Sequence, residues 1–223
     1  MIKENLGHVL STIPEGVKLI AVSKTKPVED VREAYDAGQR LFGENHALEM
    51  RDKHAVLPDD IEWHFIGHLQ SNKIKYIVPF VSLIHSIDSS RLLEAVDAEA
   101  AKHNRLIDCL LQFHIATEET KFGLDMDEAR AMIESPAFAT LQHVRVCGVM
   151  GMATFTDDES LIHREFANLQ NIFETLKHDY FSGNDSFKEI SMGMSGDYRI
   201  AIDEGSTMVR IGSSIFGSRV YNK

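Results

Sequence analysis

Cysteine is scarce in this sequence, and no long apolar run occurs. The 2 cysteines among 223 residues lie inside the apolar runs "LIDCLLQF" and "VRVCGVMG", where a free thiol behaves as a small hydrophobe. We therefore expect Cys109 and Cys147 to be reduced core residues. No run approaches the roughly eighteen apolar residues that a membrane span requires, and the start, "MIKENLGHVLSTIPEG", has no apolar signal segment. The expectation is a cytoplasmic protein without a membrane partner.

Positive charge is also in short supply. Lys and Arg number 23 against 34 Asp and Glu, which gives a formal net charge of -11. A molecule with this charge repels the phosphate backbone of nucleic acid. The sequence therefore predicts no nucleic-acid partner.

No sequence feature marks a boundary between domains. Low-complexity tracts, internal repeats and linkers rich in proline, glycine and serine are all missing. The 43% of hydrophobic residues and 26% of charged residues are typical of a soluble globular protein with a sizeable core. We predict one domain that spans residues 1–223.

Short apolar segments alternate with amphipathic segments along the whole chain. Eight apolar runs, from "VKLIAVSK" to "TMVRIGS", are short enough for strands and mostly too continuous to be half exposed. Such runs separated by helices predict parallel strands that are covered on the outside. The predicted fold is α/β, a single (β/α)₈ TIM barrel with an extra N-terminal helix at residues 2–11. A doubly wound open sheet would use the same pattern.

Glycine and serine follow the seventh and eighth predicted strands, in "SMGMSGD" and "RIGSS". Each segment precedes a helical segment, so unpaired backbone N–H groups, hydroxyls and the positive end of a helix dipole meet there. A (β/α)₈ barrel frequently has its phosphate site after these two strands. The pattern indicates a phosphate site, although turns and helix caps would use the same residues.

Two lysines lie at the tip of the first predicted strand, in "AVSKTKP", and Lys24 is the last residue of that strand. Pro27 favours an extended, exposed Lys26, which leaves Lys24 as the inner amine. A partly desolvated amine at the mouth of a barrel, near a phosphate site, could form an imine with an aldehyde. Arg210 on the last strand adds a permanent positive charge. In the alternative interpretation, Lys24 only pairs with Glu44 or Asp88.

Metal and hydrolase motifs have little support. His64 and His68 in "HFIGH" are four residues apart, but they span a strand end and Gly67, so they need not face each other. We predict no metal site. A Ser-His-Asp signature and a G-x-S-x-G elbow are both missing, which argues against an esterase.

Longer motifs carry a family resemblance from about residue 17 to the end. They are "LIAVSKTKP", "AGQRLFGEN", "WHFIGHLQSNK", "ETKFGL", "ISMGMSGD" and "GSTMVRIGSSIFG". Together they resemble the pyridoxal phosphate homeostasis protein family, which is similar in fold to the N-terminal barrel of alanine racemase. Departures are mild, since His46 follows Asn45 where many members have tyrosine, and "GVMGMATF" varies a looser motif.

The resemblance implies a cofactor and the residues that hold it. Lys24 would carry pyridoxal 5′-phosphate (PLP) as a Schiff base, and Arg210 would face the pyridine nitrogen. Asn45 would lie beside the cofactor. The remaining implied residues belong to the phosphate loops and are Met194, Ser195, Gly212 and Ser213.

The function implied is a PLP-binding protein in intracellular PLP (vitamin B6) and amino-acid homeostasis, with no catalytic residue. Apo PLP-dependent enzymes are the expected acceptors. The chain stops at Lys223, just after the eighth strand, so we expect it to lack the extra domain that supplies the second acid/base group in the racemase family, and to be a monomer. The alternatives are a fold-type III racemase with His114 or His64 as the second base, and a phosphosugar aldolase that uses Lys24.

Overall fold

Eight parallel strands form a closed barrel in the order in which they follow one another along the chain. The computed structural model describes residues 1–117 and 122–218. The strands are β1 (Lys18–Val22), β2 (Leu41–Glu44), β3 (Glu62–Phe65), β4 (Leu83–Ile87), β5 (Ile107–Gln112), β6 (Val144–Met150), β7 (Glu189–Ser191) and β8 (Met208–Ile211). The predicted (β/α)₈ barrel is confirmed, and the open doubly wound sheet is wrong because β1 pairs with β8. One domain over residues 1–223 stays a prediction.

Helices follow the strands on the outside of the barrel. They are α1 (Ile2–Ser11), α2 (Val28–Asp36), α3 (Ala47–His54), α4 (Ile74–Ile77), α5 (Ser90–Lys102), α6 (Met126–Ile133), α7 (Pro136–Ala139), α8 (Glu159–Asp179), α9 (Tyr198–Asp203) and α10 (Ser213–Phe216), with a 3₁₀ turn at Ser71–Lys73. The extra N-terminal helix has the predicted bounds.

Local sequence signals explain where several helices begin. The Ser89 side chain accepts from the N–H of Leu92 and caps α5. Asp125 and Glu128 form a capping box at the start of α6. Helix α1 buries Ile2, Leu6 and Val9 on one face, as its apolar spacing requires.

Apolar side chains fill two regions, one between the strands and the helices and a smaller one inside the barrel. The inner cluster consists of Leu83, Leu110, Cys147, Met150 and Met208. Both cysteines are free and buried, which confirms the expectation of core thiols. Burial raises the pKa of the Cys147 thiol to about 11.

The carboxyl ends of all eight strands lie at one end of the barrel, because every strand pair is parallel. The loops that follow them carry the side chains singled out by the sequence. Within residues 1–117 and 122–218, none of the helices has the length and apolar character needed to cross a membrane.

Candidate functional site

A cavity of about 630 Å³ opens at the carboxyl ends of the strands. It is bordered by residues that follow β1, β2, β3, β6, β7 and β8, by Val22 and Arg210 on the strands, and by Ile162 in the first turn of α8. All of the predicted cofactor residues border it. They are Lys24, Asn45, Met194, Ser195, Arg210, Gly212 and Ser213.

Lys24 lies in a turn beyond the end of β1, rather than at the end of the strand as predicted. The next residue, Thr25, has a φ of 64°, an uncommon conformation for a residue with a side chain. Two hydrogen bonds hold this turn. The N–H of Thr25 donates to Glu49 Oε1 (2.6 Å), and the N–H of Lys26 donates to the carbonyl of Ser23 (3.0 Å).

Lys26 borders the same cavity as Lys24. Its Nζ donates to the carbonyls of Phe216 (2.9 Å) and Ser218 (3.2 Å). The expectation that Lys26 is directed outward is wrong, because the left-handed turn at Thr25 interrupts the alternation of an extended strand.

A buried ion pair that the sequence pattern does not indicate supports the Lys24 turn. Glu44 is fully buried, and its Oε1 accepts from Lys53 Nζ (2.7 Å) and from Ser23 Oγ (2.6 Å). Lys53 Nζ also donates to the carbonyl of Ser23 (2.7 Å) and to Glu49 Oε1 (2.8 Å). Ser23 and Glu49 also accept the hydrogen bonds from the N–H groups of Lys26 and Thr25. The Lys53 ammonium therefore holds, through these two residues, the backbone on both sides of Lys24.

Glu44 itself is incompletely satisfied. Its Oε2 is buried and accepts no hydrogen bond from any described residue. Burial raises the pKa of the Glu44 carboxyl to about 7, and the Lys53 charge opposes that shift. The sequence signal for this pair was weak, because Glu44 and Lys53 are nine residues apart on a strand and a helix.

The loops after β7 and β8 are joined to each other. The N–H of Gly212 donates to Ser195 Oγ (3.2 Å), and the N–H of Arg210 donates to the carbonyl of Gly193 (2.9 Å). Gly193 has a φ of +98°, and a Cβ there would lie 2.6 Å from the Cβ of Ala201. Glycine is therefore required for the close approach of this loop to α9.

Several hydrogen-bond donors in these two loops have no acceptor in the described part of the chain. They are the N–H groups of Ser195, Gly196, Ser213 and Ser214. Ser213 and Ser214 begin α10, where unpaired N–H groups are expected. Together with the Ser213 hydroxyl, these donors suit an oxyanion such as phosphate.

Arg210 is a buried cation beside this cluster of donors, with 3% of its surface exposed. Nη1 donates to Ser191 Oγ (2.6 Å) and Nη2 donates to the carbonyl of Gly151 (3.1 Å). Its Nε makes no hydrogen bond to a described residue. Burial lowers the pKa of the guanidinium to about 10, and the Asp197 carboxylate opposes that shift. Arg210 is therefore still protonated at neutral pH.

Asn45 borders the cavity and also carries an unsatisfied buried acceptor. Its Oδ1 is buried and has no hydrogen-bond partner among residues 1–117 and 122–218. An orphaned buried acceptor costs free energy.

The histidines considered as catalytic bases do not border the cavity. His64 is buried in the barrel and its Nδ1 is 2.9 Å from His85 Nε2. His114 borders a separate cavity of about 350 Å³, and His46 borders another of about 390 Å³. The described residues contain no group of three or more His, Cys, Asp or Glu side chains that could hold a metal ion. Of the "ETKFGL" motif, residues 119–121 lie outside the described residues.

Family relationships agree with this geometry. Residues 1–220 match the family described as "Alanine racemase, N-terminal domain". The pyridoxal phosphate homeostasis protein of Aquifex aeolicus (strain VF5) is 38% identical over 205 residues, which are 92% of this chain and 88% of that protein. The protein of the same name from Schizosaccharomyces pombe (strain 972 / ATCC 24843) is 36% identical over 210 residues, or 93% of this chain and 86% of the relative.

Solved structures show the same relationship. PipY of Synechococcus elongatus PCC7942, solved with PLP bound, is 37% identical, and the similarity covers 97% of this chain and 100% of that chain with a TM-score of 0.87. Alanine racemase of Clostridium difficile 630 shares the fold, with a TM-score of 0.77 at 13% identity over 99% of this chain and 60% of that one. The chain therefore belongs to the pyridoxal phosphate homeostasis protein family, within the wider group that has the alanine racemase N-terminal fold.

Proposed function

We propose that this chain binds PLP in the 630 Å³ cavity and acts in PLP (vitamin B6) and amino-acid homeostasis. The observation that carries the proposal is the convergence of the Lys24 amine, the buried Arg210 guanidinium and a cluster of unpaired N–H groups around one cavity. PLP brings an aldehyde, a ring nitrogen and a phosphate, for which these three features are suitable partners. PipY, a relative solved with PLP bound, supports the same ligand.

The phosphate group is assigned to the loops after β7 and β8. Ser195 and Ser213 contribute hydroxyls, and Gly212 allows the backbone to pass close to β1, since a Cβ there would lie 3.1 Å from the carbonyl oxygen of Val22. The unpaired N–H groups of Gly196 and Ser214 complete the set of donors. Met194 precedes Ser195 and borders the same space.

The aldehyde and ring are assigned to Lys24, Asn45 and Arg210, which lie at the neighbouring ends of β1, β2 and β8. Lys24 is the residue that bonds covalently to the aldehyde carbon, with loss of water, and Asn45 lies beside it on the next strand end. Bound PLP supplies an electron sink for carbanions. Arg210 is the residue assigned to the ring nitrogen, and a guanidinium that stays protonated gives that nitrogen no proton. The arrangement therefore keeps the electron sink weak.

A carrier role fits the cavity better than a racemase role. A two-base racemase needs a second acid/base group on the far side of the substrate, and no histidine or tyrosine of the described residues borders the cavity. Two carboxylates do, Asp157 and Asp197, and Asp197 Oδ1 is engaged by the N–H of Met194 (2.6 Å). Lys26, the second amine there, is engaged with two backbone carbonyls. We infer a cytoplasmic, monomeric protein without catalytic residues that exchanges PLP with apo PLP-dependent enzymes.

Spectroscopic titration of the cofactor-free protein with PLP tests the proposal. After gel filtration has removed unbound PLP, the wild type should retain a visible absorption band that borohydride abolishes, and Lys24→Ala should lack it. Lys26→Ala is the matched control, because it removes an amine from the same cavity, and it should keep the band. A band that survives in Lys24→Ala would refute the assignment. Chiral analysis after incubation with L-alanine should show no turnover above that of free PLP, and robust inversion would favour the racemase.

Transfer of PLP to an apo PLP-dependent enzyme tests the carrier role. Loaded protein should activate the acceptor, and a parallel reaction in which a PLP-trapping amine removes the free cofactor should still show activation. Activation that the trap eliminates would mean that PLP only dissociates into solution, which would contradict direct delivery.

A further inference from the structure

A chain of four hydrogen-bonded side chains runs through the interior of the barrel from Arg210. Arg210 Nη1 is 2.6 Å from Ser191 Oγ, Ser191 Oγ is 2.8 Å from His85 Nδ1, and His85 Nε2 is 2.9 Å from His64 Nδ1. None of the four is more than 3% exposed. They come from β8, β7, β4 and β3, so only the closed barrel brings them together.

The direction of each hydrogen bond follows from the guanidinium. Arginine has only donors, so Ser191 Oγ accepts from Arg210. The Ser191 hydroxyl proton then goes to His85 Nδ1, its other hydrogen-bond partner among the described residues.

The same logic continues to the second imidazole. Because His85 Nδ1 accepts, neutral His85 carries its proton on Nε2 and donates it to His64 Nδ1, and neutral His64 carries its own proton on Nε2. Burial lowers the pKa of His64 to about 3 and also lowers the pKa of His85, so both rings are neutral at pH 7. All three hydrogen bonds therefore form when each imidazole is the Nε2–H tautomer.

We propose that Ser191 and His85 are positioning residues for the cofactor site, because they fix the orientation of the Arg210 guanidinium that meets the PLP ring. This inference rests on the proposed function. Without the Ser191 acceptor, Nη1 loses a charge-assisted bond in a buried place, and only the bond from Nη2 to the carbonyl of Gly151 remains. The guanidinium can then rotate about that bond, and Nε no longer has a fixed direction.

Two substitutions with matched controls test the inference. Ser191→Ala removes the acceptor, and Ser86→Ala removes a buried hydroxyl next to His85 that has no partner among the described residues. His85→Leu removes the acceptor for Ser191, whereas His85→Asn keeps an oxygen near the Nδ1 position. The readouts are the PLP dissociation constant and the absorption maximum of bound PLP. Thermal unfolding of each cofactor-free variant verifies the fold.

Ser191→Ala and His85→Leu should weaken PLP binding up to about tenfold, because binding must then order a mobile arginine side chain, and should shift the absorption maximum. Ser86→Ala and His85→Asn should resemble the wild type. Unchanged affinity and spectrum in both Ser191→Ala and His85→Leu would overturn the inference while leaving PLP binding intact. A wild type that binds no PLP would instead refute the proposed function, and the inference with it.

Nitrogen NMR of the histidine rings tests the hydrogen-bonded network of Arg210, Ser191, His85 and His64 in the cofactor-free protein. Both His64 and His85 should be neutral Nε2–H tautomers at pH 7 in the wild type, and Ser191→Ala should change the Nδ1 shift of His85. A protonated Nδ1 on His85 would overturn the inference, even if the substitutions prevent folding.

Discussion

Replacement of Lys53 by methionine should destabilise the protein strongly, and by an amount that depends on pH. Lys53 is 5% exposed, and its Nζ donates to Glu44 Oε1, Glu49 Oε1 and the carbonyl of Ser23. Removing one partner of a buried pair costs about 3–5 kcal/mol, because it leaves an uncompensated charge in the interior. We expect a loss of that size in the free energy of unfolding at pH 8.

The pH dependence follows from the Glu44 carboxyl. Burial already raises its pKa from 4.5 to about 7, so between these values the folded state holds more protons than the unfolded state, and the free energy of unfolding falls as pH rises. For Glu44 alone this amounts to at most about 3 kcal/mol across the window. Loss of the Lys53 charge raises the Glu44 pKa further. The Lys53→Met defect should therefore shrink at pH 5.5, where Glu44 is protonated.

Urea denaturation of the cofactor-free proteins measures these quantities. Lys188→Met is the control, because it removes the same charge from an exposed position, and its loss should stay below about 0.5 kcal/mol at both pH values. The double variant Glu44→Gln/Lys53→Met should recover part of the loss at pH 8, since it buries no charge. A Lys53→Met defect that is equal at pH 5.5 and pH 8, or no larger than that of Lys188→Met, would refute this reasoning.

Three further outcomes are expected. Gly193→Ala should cost roughly 1–3 kcal/mol of unfolding free energy in urea denaturation, because its φ is +98° and its Cβ would clash with Ala201; a neutral effect would contradict the required turn. Ser195→Ala and Ser213→Ala should each weaken PLP retention roughly tenfold in dialysis, through loss of a donor to a charged group; unchanged retention would reject their assignment to phosphate. Cys147, whose thiol pKa is raised to about 11, should resist alkylation by iodoacetamide in the native protein at pH 8. Mass spectrometry measures the extent of alkylation, and rapid alkylation would contradict the burial of this thiol.

The sequence was sufficient to predict the barrel. Parallel strands covered on both faces appear as short continuous apolar runs, so the alternation with helices identified the fold. The predicted cofactor residues border one cavity because parallel strands bring their carboxyl ends together. Arg210 lies on β8 beside β1, with Ile20 paired to it across the closing seam, whereas Lys24 lies in the turn after β1.

The missed features depend on contacts that the order of residues does not specify. Lys53 contacts Glu44 only when α3 packs over β2. His64 contacts His85 only when β3 and β4 are adjacent in the barrel. The position of Lys26 depends on a single backbone angle, the φ of 64° at Thr25. Propensity predicts an extended conformation there, and the hydrogen bond from the N–H of Thr25 to Glu49 overrides it.

Mapping the site of covalent attachment tests the central claim most directly. Protein loaded with PLP is reduced with borohydride and digested, and the modified peptide is sequenced by mass spectrometry. The account predicts one phosphopyridoxyl group, on Lys24. A modification on Lys26 or any other lysine, or no modification at all, would contradict it.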